Sequence, residues 1–141
     1  MQSDCSEKNL KNFIKNIGFD EFSTELVLIA FTHASYTKEN NLNSSLCYER
    51  LEFLGDAVLK MATTDYLYKQ YPDKSEGELT KIRSIVVSDE ILYKIAQKLN
   101  IEPYIRVSKA EEKCNGRTLV SIQACVMEAL FGALYLSSNN E

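Results

Sequence analysis

Apolar positions recur at helical rather than alternating spacing along most of the chain, and Ser, Gly, Asn and Pro interrupt the pattern at intervals. Ser6 is placed to cap a helix ending at Gly18, and Ser23 or Thr24 to start another through Ala30. Ser44 or Ser45 is expected to open a long helix that stops before Pro72. Ser75 and Glu78 have the spacing of a capping box, and Ser88 opens a further helix ended by Asn100 and Pro103. Residues 104 to 120 read as irregular, with a short helix around Lys109 to Lys113, and Ser121 to Leu136 as a helix apolar on nearly every face. The β-like run Ile85-Val-Val87 lies within helical spacing, so no sheet is expected. The fold class predicted is all-α, in one domain over residues 1–141 without repeats, low-complexity tracts or a second domain.

The long helix carries Glu49, Glu52 and Asp56 at i, i+3 and i+7. At about 100° per residue these fall within roughly 60° of arc. Leu51, Leu54, Val58 and Met61 lie on the other side, where a core is expected. Like charges at this spacing weaken a helix, so an acidic face beside an apolar stripe suggests a cation held there. An ordinary solvated acidic face is the alternative. Glu128 changes the balance, because it sits inside the apolar Ser121–Leu136 segment. A carboxylate there must be paired, coordinated or protonated. Arg50 or Arg83 could supply a buried salt bridge. If the acidic face instead packs toward Glu128, the four carboxylates form an all-oxygen site of the kind Mg²⁺ prefers.

Glu49-Arg-Leu-Glu-Phe-Leu-Gly-Asp-Ala-Val-Leu59 resembles the signature segment of the ribonuclease III family almost residue for residue. Three companions occur in register. Phe31-Thr-His-Ala-Ser-Tyr36 resembles the element ahead of the signature, and Ser75-Glu-Gly-Glu-Leu-Thr-Lys-Ile-Arg-Ser84 the Glu-Gly-x-Leu element after it. Ser121 to Ala133, with Ala124, Glu128, Ala129, Leu130 and Gly132 at matching positions, resembles the last catalytic helix. The likeness runs from about residue 10 to the end. An eleven-residue signature with three companions is far more specific than a short glycine pattern.

Composition fits such a protein. With 45% hydrophobic residues the chain is neither disordered nor membrane-spanning, and no uninterrupted apolar run approaches 18 residues. The first seven residues lack the layout of a signal peptide, so an intracellular protein with no membrane partner is expected, cytoplasm and nucleus being indistinguishable. Cys5, Cys47, Cys114 and Cys125 show no Cys-x-x-Cys spacing, which points to reduced thiols rather than disulfides or zinc. The single histidine, His33, reads as structural, capping or packing in a short polar turn.

The resemblance implies an endonuclease that hydrolyses double-stranded RNA to products with a 5′-phosphate and a short 3′ overhang. Glu52, Asp56 and Glu128 would hold one or two Mg²⁺, with Mn²⁺ as a substitute; Asp56 and Glu128 carry the most weight in catalysis. Glu49 and Glu76 are expected in the outer shell or on substrate. A homodimer about a two-fold axis would supply the two cuts, with Phe53 inserting into a pocket on the partner and Glu76 completing the partner's site. The net charge of −4 is unusual for an RNA binder, so contacts are assigned to a local basic groove: Lys81, Arg83, Lys109, Lys113 and Arg117. No double-stranded-RNA-binding domain follows, which implies weak, salt-sensitive affinity. The chain also stops where family nuclease domains run on through another helix, so a truncation that weakens pairing is expected.

One departure stands out. The family has Asp three residues before the final Glu, and here that position is Cys125. A neutral thiol is a poor ligand for a hard cation. If the missing Asp mainly orders metal-bound water, activity would survive with a higher Mg²⁺ requirement; if it is a direct ligand, activity would be severely reduced. Two readings follow: an active endonuclease, or a nuclease-like RNA-binding scaffold in which Cys125 marks lost catalysis.

Overall fold

The structure, a computed structural model, describes residues 6–138. Eight α-helices run in order: α1 Glu7–Asn16, α2 Thr24–Ala30, α3 Ala34–Glu39, α4 Glu49–Gln70, α5 Glu76–Val86, α6 Asp89–Leu99, α7 Lys109–Lys113 and α8 Val120–Ser138. Short 3₁₀ turns cover Ser44–Leu46, Glu102–Tyr104 and Gly116–Thr118. No strand forms among the described residues; an isolated parallel bridge joins Thr32 and Arg106. The all-α expectation holds.

Side-chain caps set most helix starts. Ser6, Ser23, Ser88 and Ser108 each accept a hydrogen bond from the backbone N–H three residues on, a contact worth about 1 kcal/mol per helix. Ser75 and Glu78 close a full capping box on α5. Asn100 ends α6 in the left-handed conformation at φ 55°, which Asn tolerates. α4 stops at Gln70 because Tyr71 precedes Pro72 and is pushed out of the helical region.

The long helix starts later than the serines suggest. Ser44 and Ser45 belong to a 3₁₀ turn capped by Asn43, Cys47 is extended, and α4 begins at Glu49. The cause is tertiary: the Tyr48 N–H donates to the Thr32 carbonyl at 2.8 Å, which breaks the helical path there. α3 was not apparent from the pattern. His33 forms its N-cap, its Nδ1 accepting from the Ser35 N–H at 3.1 Å. Cys5 lies outside the described residues, and Cys47, Cys114 and Cys125 are free thiols.

α8 is the central helix and packs along α4, α6 and α2. Its buried face includes Ile122, Ala124, Val126, Met127, Ala129, Leu130 and Ala133, joined by Leu10, Ile14, Val27, Phe31, Leu92 and Ile105. By length and composition alone α8 could cross a membrane, but its packing and its embedded Gln123 and Glu128 make it the core helix. Gln123 is fully buried and satisfied, donating to the Arg117 carbonyl and accepting from Gln97.

The apolar stripe of α4 is rotated from the expected one. Leu51, Gly55 and Leu67 are buried, Leu54 and Val58 are half-buried, and Met61 is 70% exposed rather than in the core. Along the second half of α4 Leu67 is buried, while Met61, Tyr66 and Tyr68 face solvent.

Candidate active site

The site is built where α4 crosses α8. A Cβ on Gly55 would overlap the Glu128 carbonyl, and a Cβ on Gly132 would overlap the Leu51 carbonyl. Two glycines, one on each helix, therefore let the backbones meet. Asp56 follows Gly55 directly, Glu52 lies one turn earlier, and Glu128 belongs to the residue whose carbonyl touches Gly55. Side chains from two distant parts of the chain are brought to one place by backbone contact.

Their electrostatics record the convergence. The Glu128 carboxyl is pushed up to about 7, first by burial and then by the charges of Asp56, Glu52 and Asp89, with Lys60 acting in the opposite direction. Among the described residues no Arg or Lys stands at ion-pair distance from Glu128. Arg50 is exposed, and Arg83 donates to the Thr64 hydroxyl at 2.9 Å, so neither makes the buried salt bridge considered from sequence.

Cys125 stands one turn before Glu128. Its thiol is pushed up to about 12, by burial first, then by a hydrogen bond with Glu52 and the charges of Glu52, Glu128 and Asp89. At neutral pH it is an uncharged donor to Glu52. Tyr48 bonds in turn to Cys125, and its hydroxyl is raised by burial and by Cys125, Glu52 and Glu49. A line of polar groups thus runs from the Tyr48 ring, which meets His33 edge-on at 5.8 Å, to the acidic face. In this chain the thiol holds Glu52 rather than adding a charge.

The donor set suits a hard divalent cation: Glu52, Asp56 and Glu128 offer only carboxylate oxygens, and their mutual repulsion is what a cation relieves. Among the described residues no group of three or more Asp, Glu, His or Cys side chains is drawn together closely enough to hold a metal ion as the side chains stand. Asp56 is instead engaged by Lys60, whose Nζ stands 2.8 Å from its Oδ2.

The remaining sequence candidates are spread out. Glu49, in the first turn of α4, is exposed and acts on Tyr48. Glu76 starts α5, where its Oε1 accepts from the Thr80 hydroxyl at 2.9 Å, and it is not among the groups acting on Glu128. Lys81 is exposed on α5, and Arg83 lines a groove with Glu76, Thr80, Thr64 and Tyr68. Lys109, at the start of α7, and Lys113, at its end, are exposed. Arg117 is only 13% exposed, paired with Glu112 at 3.3 Å, and its Nε is buried without a hydrogen-bond partner among the described residues. Phe53 is 84% exposed and borders a groove of about 770 Å³ formed with Leu26, Ile29, Leu46, Leu54 and Leu136.

Asp89 and Lys60 escaped the sequence reading. Acidic residues are common in the first turn of any helix, so nothing marked Asp89 apart from its neighbour Glu90. Lys60 was visible as an i+4 partner of Asp56, a spacing equally common on solvated helices.

Residues 23–141 match the Ribonuclease-III-like family. The chain is 44% identical over 124 residues to Ribonuclease 3 of Listeria monocytogenes and 45% identical over 136 residues to Ribonuclease 3 of Borreliella burgdorferi, covering 88% and 95% of this chain. It spans about half the length of these relatives, 54% and 55%. The nuclease domain of Ribonuclease III from Campylobacter jejuni, described as flexible in a region involved in dimer formation, superposes with a TM-score of 0.83 at 34% identity, over 92% of this chain and 87% of that one. Dicer from Pichia stipitis superposes with a TM-score of 0.60 at 26% identity, over 85% and 49%. The chain belongs to the ribonuclease-III-like family.

Proposed function

We propose that this chain is a divalent-metal-dependent endonuclease domain that cuts double-stranded RNA as a two-fold homodimer, leaving a 5′-phosphate and a short 3′ overhang. The observation that carries the reading is the gathering of Glu52, Asp56 and Glu128 at the Gly55–Gly132 crossing, with Glu128 pushed up to about 7 by burial and its acidic neighbours. Mg²⁺, or Mn²⁺ in its place, would supply Lewis acidity toward water and the departing 3′-oxygen. Asp56 and Glu52 on α4 and Glu128 on α8 would hold the cation, with Glu52 oriented by its hydrogen bond with Cys125. Glu49 lies at the rim, suited to outer-shell contacts.

Double-stranded RNA suits this surface because its phosphates and 2′-hydroxyls are exposed while its bases lie in a deep groove. Lys81, Lys109 and Lys113 are exposed cations available for phosphates; Arg83 and Arg117 are already engaged with Thr64 and Glu112. Because such contacts act through phosphate neutralisation, binding weakens as salt rises. Phe53 and the adjoining apolar groove lie on one face, so a two-fold axis can seat each Phe53 in the other copy's groove. The reach of Glu76 to a partner's site belongs to the same proposal.

The scaffold reading is favoured by one observation, the neutral thiol at position 125. Incubation of a long RNA duplex with Mg²⁺, beside the Glu128→Gln variant, separates the two. Short 5′-phosphorylated duplexes from the wild type and intact substrate from the variant are expected. Intact duplex with both proteins at generous Mg²⁺ supports the scaffold.

A further inference from the structure

We propose that Lys60 is a built-in counterion of this site: its ammonium occupies the place of the divalent cation on Asp56 and is displaced when the cation binds, so that Lys60 sets the metal requirement. The inference rests on the metal-site reading above and adds a residue to it. Lys60 lies one turn beyond Asp56 on α4, and its Nζ reaches Oδ2 at 2.8 Å. The Gly55 contact brings Glu128 to the same stretch of α4. Lys60 is the positive group that opposes Asp56, Glu52 and Asp89 at Glu128, so its charge is felt on both helices of the site. Because Cys125 adds no charge, a single ammonium offsets a larger share of the acidic face than it would beside a further carboxylate.

The protein carries its own control. Lys69 pairs with Asp65 on the same helix, at the same i+4 spacing and the same 2.8 Å, but nine residues further along and away from the acidic face. An ordinary helix-surface pair would make the two lysines respond alike. A counterion displaced by metal would not.

Isothermal titration of the intact chain with Mn²⁺ at fixed pH and ionic strength tests this, using the wild type, Lys60→Met, Lys69→Met and Glu128→Gln. Lys60→Met keeps the apolar stem and removes the charge. It is expected to bind Mn²⁺ roughly three- to tenfold more tightly, as removal of one like charge a few ångströms away requires, with Lys69→Met unchanged. Acetylation of the wild type, read by mass spectrometry, is expected to modify Lys60 faster when Mg²⁺ is added and Lys69 at the same rate. Loss of binding in Glu128→Gln, with Lys60→Met no tighter than wild type and no change in Lys60 labelling, overturns the counterion role and leaves the metal site standing. Equal binding, or none, in wild type and Glu128→Gln overturns both.

Discussion

Gly55 and Glu128 touch through their backbones, and the contact leaves no room for a side chain at position 55. Glycine there serves closeness of approach. Gly55→Ala forces α4 and α8 apart and is expected to cost about 2–3 kcal/mol, at the upper end of overpacking in a well-packed core. Gly132→Ala, which meets the Leu51 carbonyl, is expected to act in the same direction. Urea denaturation measures both, and Gly77→Ala, where a Cβ meets nothing within 4 Å, is the comparison.

Glu128 makes stability depend on pH. Its carboxyl is raised from 4.5 to about 7, so between those values the folded chain holds a proton the unfolded chain has released. Stability of the metal-free protein therefore falls as pH rises through that window. The loss is expected to be on the order of 1–2 kcal/mol, since the group is only partly buried and solvent screens it. In EDTA, Glu128→Gln is expected to exceed the wild type in stability at pH 8, the gap closing toward pH 4.5, measured by urea midpoints across that range.

How much of this was legible beforehand differs by level. Capping serines at positions 6, 23, 75 and 88 mark the starts of four helices because the cap is a local contact between residues three apart. The start of α4 was misplaced because Tyr48 is held by Thr32, a partner sixteen positions away that no local signal reveals. Met61 reads as a core position because periodicity does not fix the rotation of a helix; the Gly55–Glu128 contact does. The acidic candidates were readable from spacing and from Glu128 in its apolar helix. Asp89 and Lys60 were not, because their relevance depends on how α6 and α4 face Glu128.

Cys125 offers a gain-of-charge experiment. Cys125→Asp places a further carboxylate beside Glu52 and Glu128 and removes the thiol donor from Glu52. The variant is expected to be less stable than wild type in EDTA at neutral pH and to need roughly three- to tenfold less Mg²⁺ for half-maximal cleavage of duplex RNA. An unchanged Mg²⁺ requirement would place position 125 outside the influence of the cation.

Phe53 separates pairing from folding. At 84% exposure it contributes little to the core, so Phe53→Ala is expected to leave the urea midpoint of the dilute protein nearly unchanged. A buried aromatic anchor at an interface commonly contributes about 2 kcal/mol or more, so the variant should shift toward monomer in sedimentation velocity. Wild type and variant that sediment alike would remove Phe53 from the pairing surface.

Diffraction from crystals soaked in Mn²⁺, collected at the manganese edge, examines the site most directly. An anomalous peak between the carboxylates of Asp56 and Glu128, with Glu52 beside it and Lys60 turned away from Asp56, is the expected result. Well-ordered Asp56 and Glu128 side chains with no peak between them, Lys60 still on Asp56, would contradict a metal site shared by α4 and α8.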